Sequence, residues 1–159
     1  MVLIIAEAGV NHNGCIDTAK KLIDVACEAG ANIIKFQTFK SEDLTTEHAP
    51  LAEYQETNSP ELINQQTLLQ KLQLNLEQHK ELKSYAINQN IEFLSTAFTL
   101  ESVDLLSEIG LERWKIPSGE INNLPLLKKV AKQNQPTIIS TGMSTIGEIE
   151  LALRTLYEN

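Results

Sequence analysis

Residues 2–14 read VLIIAEAGVNHNG, and this stretch decides between two folds for the chain. Val2 to Ala6 is short, apolar and rich in β-branched residues, which is typical of a buried strand rather than a membrane-spanning segment. A doubly wound sheet would carry a Gly-rich phosphate turn after this strand, but no GxGxxG or GxxxxGK[ST] follows. Instead, the carboxylate of Glu7 ends the predicted strand, and Asn11 to Gly14 have the composition of a turn.

Strand-like and helix-like runs alternate along the rest of the chain. Helical spacing of apolar residues covers 17–29, 61–72, 76–89, 101–109, 124–133 and 146–157, and the further strands are NIIKFQ (32–37), EFLSTAF (92–98), RWKI (113–116) and PTIIST (136–141). Three kinds of signal mark helix ends: Gly30 after the first helix, Asn75 as an N-cap, and Thr145 with Glu148 as a capping box. Five strand–helix units in a row, with strands apolar throughout, predict a parallel sheet with helices packed outside.

Polar side chains stand at the C-terminal end of each predicted strand, which is where a (β/α)8 barrel has its active site. They are Glu7, Lys35 with Gln37, Ser95 with Thr96, Lys115, and Ser140 with Thr141. Any one such polar residue alone is more often structural, but a polar residue at the strand end recurs on all five predicted strands. Because side chains alternate along a strand, we expect these groups to converge on one pocket. The predicted fold is α/β, a (β/α)8 TIM barrel of which residues 1–159 form about the first five βα units.

Composition limits the classes of partner. The 159 residues are 42% hydrophobic, enough for one ordinary core, and the formal net charge of -8 leaves no basic surface for a nucleic acid. Cys15 and Cys27 have no CxxC spacing, and the N-terminus has neither the basic nor the long apolar region of a signal peptide. We therefore expect a cytoplasmic protein that binds neither membranes nor nucleic acids.

Several shorter features allow two interpretations. Ser118 to Glu120 (SGE) and Ser140 to Gly142 (STG) are typical of turns and caps, but after buried strands they can also present hydroxyl and N–H groups to an anion. We expect His12 to be a turn residue held by hydrogen bonds, with a substrate contact as the alternative, and His48 and His79 to be solvated. No pair of His or Cys residues has metal-ligand spacing, so no metal ligand is predicted in this chain. The aromatic residues expected in the core are Phe93, Phe98 and Trp114.

Six motifs together resemble one enzyme family. They are AEAGVNHNG (6–14), KFQTFK (35–40), AEYQ (52–55), STAF (95–98), WKIPSGEINNLPLL (114–127) and IISTGMS (138–144). In this order and at these separations they resemble the N-terminal half of the N-acetylneuraminate (sialic acid) synthase family, which includes the legionaminic and pseudaminic acid synthases. The resemblance implies condensation of phosphoenolpyruvate with N-acetylmannosamine or a related amino sugar. It also implies a barrel with a C-terminal antifreeze-like domain that reaches the partner's active site in a homodimer.

The same resemblance implies roles for eight residues. Glu7 is expected to be the catalytic base, and Glu120 a second catalytic carboxylate near the reacting groups. The expected substrate-binding residues are Lys35 and Lys115 for phosphoenolpyruvate, Thr96, Ser118 and Ser140 for its carboxylate and phosphate, and Gln37 beside them. Two strand-end lysines suit a trianionic substrate, and a weak carbon nucleophile needs positioning and fixed charges.

A divalent metal, typically manganese, is also implied by the resemblance, held by two histidines of later strands. It would polarise the sugar aldehyde and acidify a water. The sequence ends after the fifth strand and its helix, so we expect those histidines, three βα units and the C-terminal domain to lie outside it. Uncovered strand edges then lead us to expect an isolated chain that self-associates or folds poorly, and that is inactive.

Three other functions stay open. A sister 3-deoxy-octulosonate or heptulosonate phosphate synthase has the same chemistry, but a phosphorylated sugar calls for more basic residues. A Schiff-base aldolase would use Lys35 or Lys115 as its nucleophile. The third is a non-catalytic fragment that only binds or self-associates.

Overall fold

The strands form one parallel sheet in the order β1-β2-β3-β4-β5. The computed structural model describes residues 2–51 and 64–159. The strands are β1 (Ile5–Gly9), β2 (Ile33–Thr38), β3 (Glu92–Ala97), β4 (Trp114–Ile116) and β5 (Thr137–Ile139). Each strand pairs with the strand that follows it in sequence, as in the wall of a βα barrel, and the predicted parallel sheet is confirmed.

Helices connect the strands at the predicted places, except for one short helix, Ser41–Leu44, in a polar segment where none was predicted. They are α1 (Ile16–Glu28), α2 (Ser41–Leu44), α3 (Gln65–Leu72), α4 (Leu76–Asn88), α5 (Leu100–Ile109), α6 (Leu124–Ala131) and α7 (Ile146–Glu158), with a 3-10 turn at Ser118–Glu120. The expected caps are confirmed: Asn75 and Thr145 each form a capping box, and Gly30 follows α1 with a φ of 76°. Residues 61–63 of the predicted helix 61–72, and the AEYQ motif, lie outside the described residues.

The first strand differs from its prediction. It begins at Ile5 rather than Val2 and continues to Gly9, so Glu7 lies inside the strand instead of ending it. Val2, Leu3 and Ile4 are exposed, because the ladder with β2 starts only at the pair Ile5 and Ile33, and β1 has no described neighbour on its other side. The apolar character of the N-terminal run therefore indicated a strand correctly but misplaced its start by three residues.

The core lies between the sheet and its helices. Phe36 and Phe93 stack there with ring centroids 5.6 Å apart, and Trp114 is fully buried. Phe98 is only half-buried, since it follows the last residue of β3, and its ring stands edge-on to Phe39. The predictions for Phe93 and Trp114 are thus confirmed, and the prediction for Phe98 holds only in part.

Apolar side chains remain exposed at both ends of the sheet. Beside β1 they are Val2, Leu3 and Ile4; beside β5 they are Met143, Ile146, Leu153 and Tyr157. A parallel strand is normally covered on both faces, so these two edges are where further βα units would continue a barrel. In the described residues no helix has the length and apolar character to cross a membrane.

Candidate active site

Lys35 is the centre of a polar cluster on the inner face of the sheet. Its ammonium forms an ion pair with a carboxylate oxygen of Glu7 and donates a hydrogen bond to Thr96 Oγ1 at 3.2 Å. Glu7 and Lys35 are register partners on β1 and β2, so their side chains leave the sheet side by side. Only 13% of the Lys35 side chain is exposed, against 48% for Glu7, so the carboxylate is the more accessible of the two.

Lys115 lies on the same face, one strand beyond Thr96, which is its register partner. Its ammonium donates to the carbonyl of Ile116 at 2.6 Å. Burial, and secondarily the positive charge of Lys35, lower the pKa of Lys115 to about 8, while the Glu7 carboxylate acts in the opposite direction. Two ammonium groups that disfavour each other in this way form a site where an anion would relieve the repulsion.

Gly9 makes room for two of these side chains. A Cβ at this position would lie 3.2 Å from Glu7 Oε1 and 3.6 Å from Gln37 Nε2, and the backbone φ of 53° also disfavours a side chain. The register shift between Glu7 and Gly9 is a local bulge in β1. The glycine of the AEAG motif therefore lets the carboxylate and the Gln37 amide lie against the backbone at the open end of the strands.

The serines predicted to bind substrate lie at the far side of the cluster. Ser140 follows β5, and its N–H donates to the carbonyl of Ile116 at 3.1 Å, which holds it beside the end of β4. Ser118 begins the 3-10 turn after β4. A Cβ on Gly142 would lie 3.5 Å from Ser118 Oγ, so the STG and SGE turns are neighbours.

Glu120 has a structural contact that the sequence interpretation did not anticipate. Its carboxylate accepts a hydrogen bond from the side-chain amide of Asn123 at 2.7 Å. Asn123 is the N-cap of α6 and accepts from the N–H of Leu126. None of the contacts found for Glu120 reaches Lys35 or Lys115, so the structure joins Glu120 to the helix cap rather than to the lysine cluster.

Ser95 and His79 depart from their predictions. Ser95 was grouped with Thr96, but adjacent residues of a strand face opposite ways, and Ser95 is buried on the helix side, where it bonds to Thr38. His79, expected to be solvated, is fully buried beside it. The missed signal is its spacing: Leu76, His79, Leu82 and Ala86 form one face of α4.

His12 is a turn residue held by a hydrogen bond, as expected. Its Nδ1 accepts from the N–H of Gly14 at 3.0 Å, and its ring lies 6.0 Å from that of Phe36. The ring is fully buried, which lowers its pKa, and its Nε2 has no hydrogen-bond partner. Within residues 2–51 and 64–159 no group of three or more His, Cys, Asp or Glu side chains is arranged to hold a metal ion.

Comparison with known proteins gives one consistent result. The family model of the NeuB family matches residues 22–159. The N,N'-diacetyllegionaminic acid synthases of Campylobacter jejuni and Legionella pneumophila are 55% and 47% identical, over 99% and 96% of this chain and 47% and 43% of theirs. The solved N-acetylneuraminic acid synthetase of Leptospira borgpetersenii superposes with a TM-score of 0.83 at 33% identity, over 99% of this chain and 50% of that one. The chain thus spans about half the length of the relatives it matches.

Proposed function

Because the chain belongs to the NeuB family, as its motifs predicted, we propose that it is the N-terminal half of a nonulosonate synthase barrel. The reaction is condensation of phosphoenolpyruvate with an N-acetylated amino sugar, giving a sialic acid-type nonulosonate and phosphate. The family supports nonulosonate synthesis in general, and the first five units of a (β/α)8 barrel are the part of the enzyme that this chain supplies.

One observation carries the proposal: Glu7, Lys35, Thr96 and Lys115 meet on the inner face of four adjacent strands. Phosphoenolpyruvate carries a carboxylate and a phosphate, and two ammonium groups on one face match those charges. The hydroxyl of Thr96 and the backbone near Ser140 add hydrogen-bonding groups beside them. The Glu7 carboxylate already pairs with Lys35, so it is chiefly the Lys115 ammonium that an apolar or cationic ligand would leave without a counter-charge.

The proposed chemistry uses these groups for positioning and for one proton transfer. Carbon 3 of phosphoenolpyruvate attacks the aldehyde carbon of the sugar, and water then adds to carbon 2 of the resulting cation. Glu7 takes the proton of the attacking water and passes it to the alkoxide formed from the aldehyde oxygen, and the lysines hold the carboxylate and phosphate in line. The hydroxyl on carbon 2 then becomes the ketone: its proton goes to the phosphate, which leaves as the bond between carbon 2 and the phosphate oxygen breaks.

The residues described do not by themselves fit the divalent metal that the resemblance implies. The carboxylate of Glu7 is paired with an ammonium, and two cationic lysines stand beside it. The described part of the chain also contains no group of three or more His, Cys, Asp or Glu side chains that could hold a metal ion. We therefore propose that the ligands of any manganese ion lie outside residues 2–51 and 64–159, and no step above depends on the metal.

Two relatives, at 55% and 47% identity, are N,N'-diacetyllegionaminic acid synthases, and this supports a proposal for the acceptor sugar. Condensation with phosphoenolpyruvate adds three carbons and no nitrogen. Both N-acetyl groups of such a product must therefore come from the acceptor. We propose an acceptor with two N-acetyl groups in preference to N-acetylmannosamine.

Calorimetric titration with phosphoenolpyruvate at pH 7 of a synthase that contains this half-barrel tests the binding half of this proposal. We expect binding that is weakened at least tenfold in the double variant Lys35→Met/Lys115→Met. Equal affinity in the double variant would contradict the site. A thiobarbituric acid assay with each acceptor and manganese tests catalysis: we expect no product from this chain alone, and product once three further βα units are supplied.

The apolar residues at the two sheet edges support self-association of the isolated chain, since each open edge is a template for pairing. Sedimentation velocity is expected to give oligomers, or broad aggregates, rather than a single monomer. A compact monomer that melts cooperatively would contradict this part of the proposal.

Lys115 supports a second candidate, a Schiff-base aldolase. A half-buried lysine whose pKa is lowered to about 8 is partly neutral near pH 7 and is a better nucleophile than an ordinary lysine. Borohydride reduction in the presence of pyruvate distinguishes the two functions. We expect no stable adduct; mass-spectrometric detection of a reduced pyruvyl adduct on Lys115 would favour the aldolase.

A further inference from the structure

Three neutral polar side chains form a hydrogen-bonded series in the buried layer behind the site. His79 Nε2 and Thr38 Oγ1 are 2.7 Å apart, and the same Thr38 oxygen is 2.7 Å from Ser95 Oγ. At the other side of the ring, His79 Nδ1 is 2.8 Å from the carbonyl oxygen of Asn75. All three side chains are essentially inaccessible to solvent.

The direction of each hydrogen bond is fixed by one acceptor. The Asn75 carbonyl can only accept, so Nδ1 must carry the proton and donate. In the neutral ring Nε2 is then bare and accepts from the Thr38 hydroxyl, whose oxygen in turn accepts from Ser95. Burial lowers the pKa of His79, which keeps the ring neutral at pH 7 and this order intact.

This series of hydrogen-bonded side chains lies next to the proposed substrate-binding residues. Thr38 is the last residue of β2 and directly follows Gln37, whose side chain is on the inner face near Gly9. The pair Thr38 and Ala97 closes the β2–β3 ladder, so beyond it the backbone of β2 has no strand partner there. Two side chains from α4 and from the residue that follows α3 hold this end of β2. His79 bonds to Thr38, and Gln73 Oε1 accepts from the N–H of Ser41.

We propose that His79 is a positioning residue that acts through Thr38 to fix the end of β2 and, with it, the Gln37 side chain in the substrate site. The ring links this end of β2 to Asn75, the N-cap of α4, so the first turn of the helix holds the ring in place. The ladder already sets the spacing of β2 and β3; what His79 adds is the orientation of the last residue of β2. The part of the inference that concerns ligand affinity rests on the proposed phosphoenolpyruvate site.

The test compares three variants of a synthase that contains this half-barrel, because the isolated 159-residue chain is expected to self-associate. His79→Phe keeps a buried ring and removes both hydrogen bonds, whereas His79→Gln keeps a neutral donor and acceptor. Leu82→Ala is the matched control, because Leu82 is equally buried on the same face of α4, and its apolar side chain makes no hydrogen bond. The readouts are the side-chain amide resonances of Gln37, the ring-nitrogen shifts of His79, and phosphoenolpyruvate affinity per folded molecule.

We expect the wild-type ring to carry its single proton on Nδ1 at pH 7 to 8. Loss of one neutral hydrogen bond corresponds to about a twofold to tenfold effect, so His79→Phe should weaken affinity by that factor and shift the Gln37 amide resonances. His79→Gln should recover at least half of both effects. Leu82→Ala should lower the melting temperature. It removes no hydrogen bond, so it should keep affinity within about twofold of wild type.

Three results would overturn the inference: a proton on Nε2, unchanged Gln37 resonances in His79→Phe, or equal losses of affinity in His79→Phe and Leu82→Ala. If His79→Phe does not fold, Thr38→Val replaces it, since it removes the hydroxyl and keeps the shape. A wild-type chain that binds no phosphoenolpyruvate would contradict the proposed function alone. The ring tautomer and the Gln37 resonances would still decide whether His79 positions the strand end.

Discussion

The two faces of β2 and β3 carry polar side chains of opposite kinds. On the inner face, Lys35 and Thr96 belong to a charged cluster that remains partly open to solvent. On the outer face, Thr38 and Ser95 are neutral, hydrogen-bonded to His79 or to each other, and closed off by α4. Residues adjacent in sequence thus take part in two separate networks.

The difference follows from the cost of burying charge. An ammonium enclosed between sheet and helix would lose its hydration without a ligand to replace it, whereas hydroxyls and a neutral imidazole can satisfy one another. Only the inner face offers charges to an incoming anion. We therefore expect substitutions on the inner face to change binding or turnover, and substitutions on the outer face to change mainly stability, except at His79, which acts on the substrate site through its bond to Thr38.

The largest expected effect is that of Glu7→Gln on turnover. In a synthase that contains this half-barrel, removal of a general base should lower turnover by about a hundredfold or more. The amide keeps the shape of the carboxylate, and Lys35 retains its bond to Thr96, so phosphoenolpyruvate binding should persist. Turnover is measured by product formation and binding by calorimetry. Near-normal turnover would show that the carboxylate is structural.

Lys35→Met should come next. Loss of one charge-assisted hydrogen bond to the substrate corresponds to about 1.5–3 kcal/mol, or roughly a tenfold to hundredfold loss of phosphoenolpyruvate affinity. Lys80→Met is the control, because it makes the same charge change at a surface lysine that pairs with Glu108 outside the site. Equal affinity losses in the two variants would mean that net charge, not the inner-face site, governs binding.

Much of the inner face could be predicted from the sequence. Strand side chains alternate with a period of two, so the placement of Lys35 and Gln37 on one face needed only the strand itself. The register that pairs Glu7 with Lys35 and Thr96 with Lys115 could not be predicted residue by residue, because it depends on how the strands align in three dimensions.

The outer face was harder to predict. A histidine among polar neighbours reads as solvated, and only its spacing with Leu76 and Leu82 indicates burial. The partners that make this burial tolerable, Thr38 and Ser95, come from two other elements. The contact of Glu120 with Asn123, the cap of α6, was also missed, because the SGE motif was interpreted from its resemblance to the family rather than from the helix cap three residues later.

A dependence of binding on alkaline pH should identify Lys115. Its pKa is lowered to about 8, so the ammonium that would hold an anion is lost as the pH rises through that value. Phosphoenolpyruvate affinity should then fall between pH 8 and 9 by at most about tenfold, the limit for loss of one proton. Lys115→Arg, which stays charged, should abolish the fall. An unchanged fall in Lys115→Arg would assign it to another group.

The stability of the protein should depend on pH in the acid range, because two histidines are buried. Burial lowers the pKa of both His12 and His79, so the unfolded chain binds more protons than the folded chain below about pH 6.5. The free energy of unfolding should therefore decrease as the pH falls through 6.5, by at most about 1.4 kcal/mol per pH unit for each histidine. Urea unfolding at pH 5 to 7 measures the slope. His79→Gln should reduce it, whereas His48→Gln, which changes an exposed ring, should not.

The sharpest comparison is between two neighbours on β3, Ser95 and Thr96, which face opposite ways. Thr96→Val keeps the shape of the side chain and removes the hydroxyl that accepts from Lys35, so it should weaken phosphoenolpyruvate binding by roughly twofold to tenfold, with little change in stability. Ser95→Ala removes the outer hydrogen bond to Thr38 and should cost about 1 kcal/mol of unfolding free energy. Its effect on affinity should stay within about twofold, because the β2–β3 ladder and the bond between Thr38 and His79 both remain. Calorimetry and urea unfolding of the two variants give four numbers, and the separation of the two faces requires the affinity loss and the stability loss to fall on different residues. If Ser95→Ala weakened binding as much as Thr96→Val, the two faces would be one coupled network.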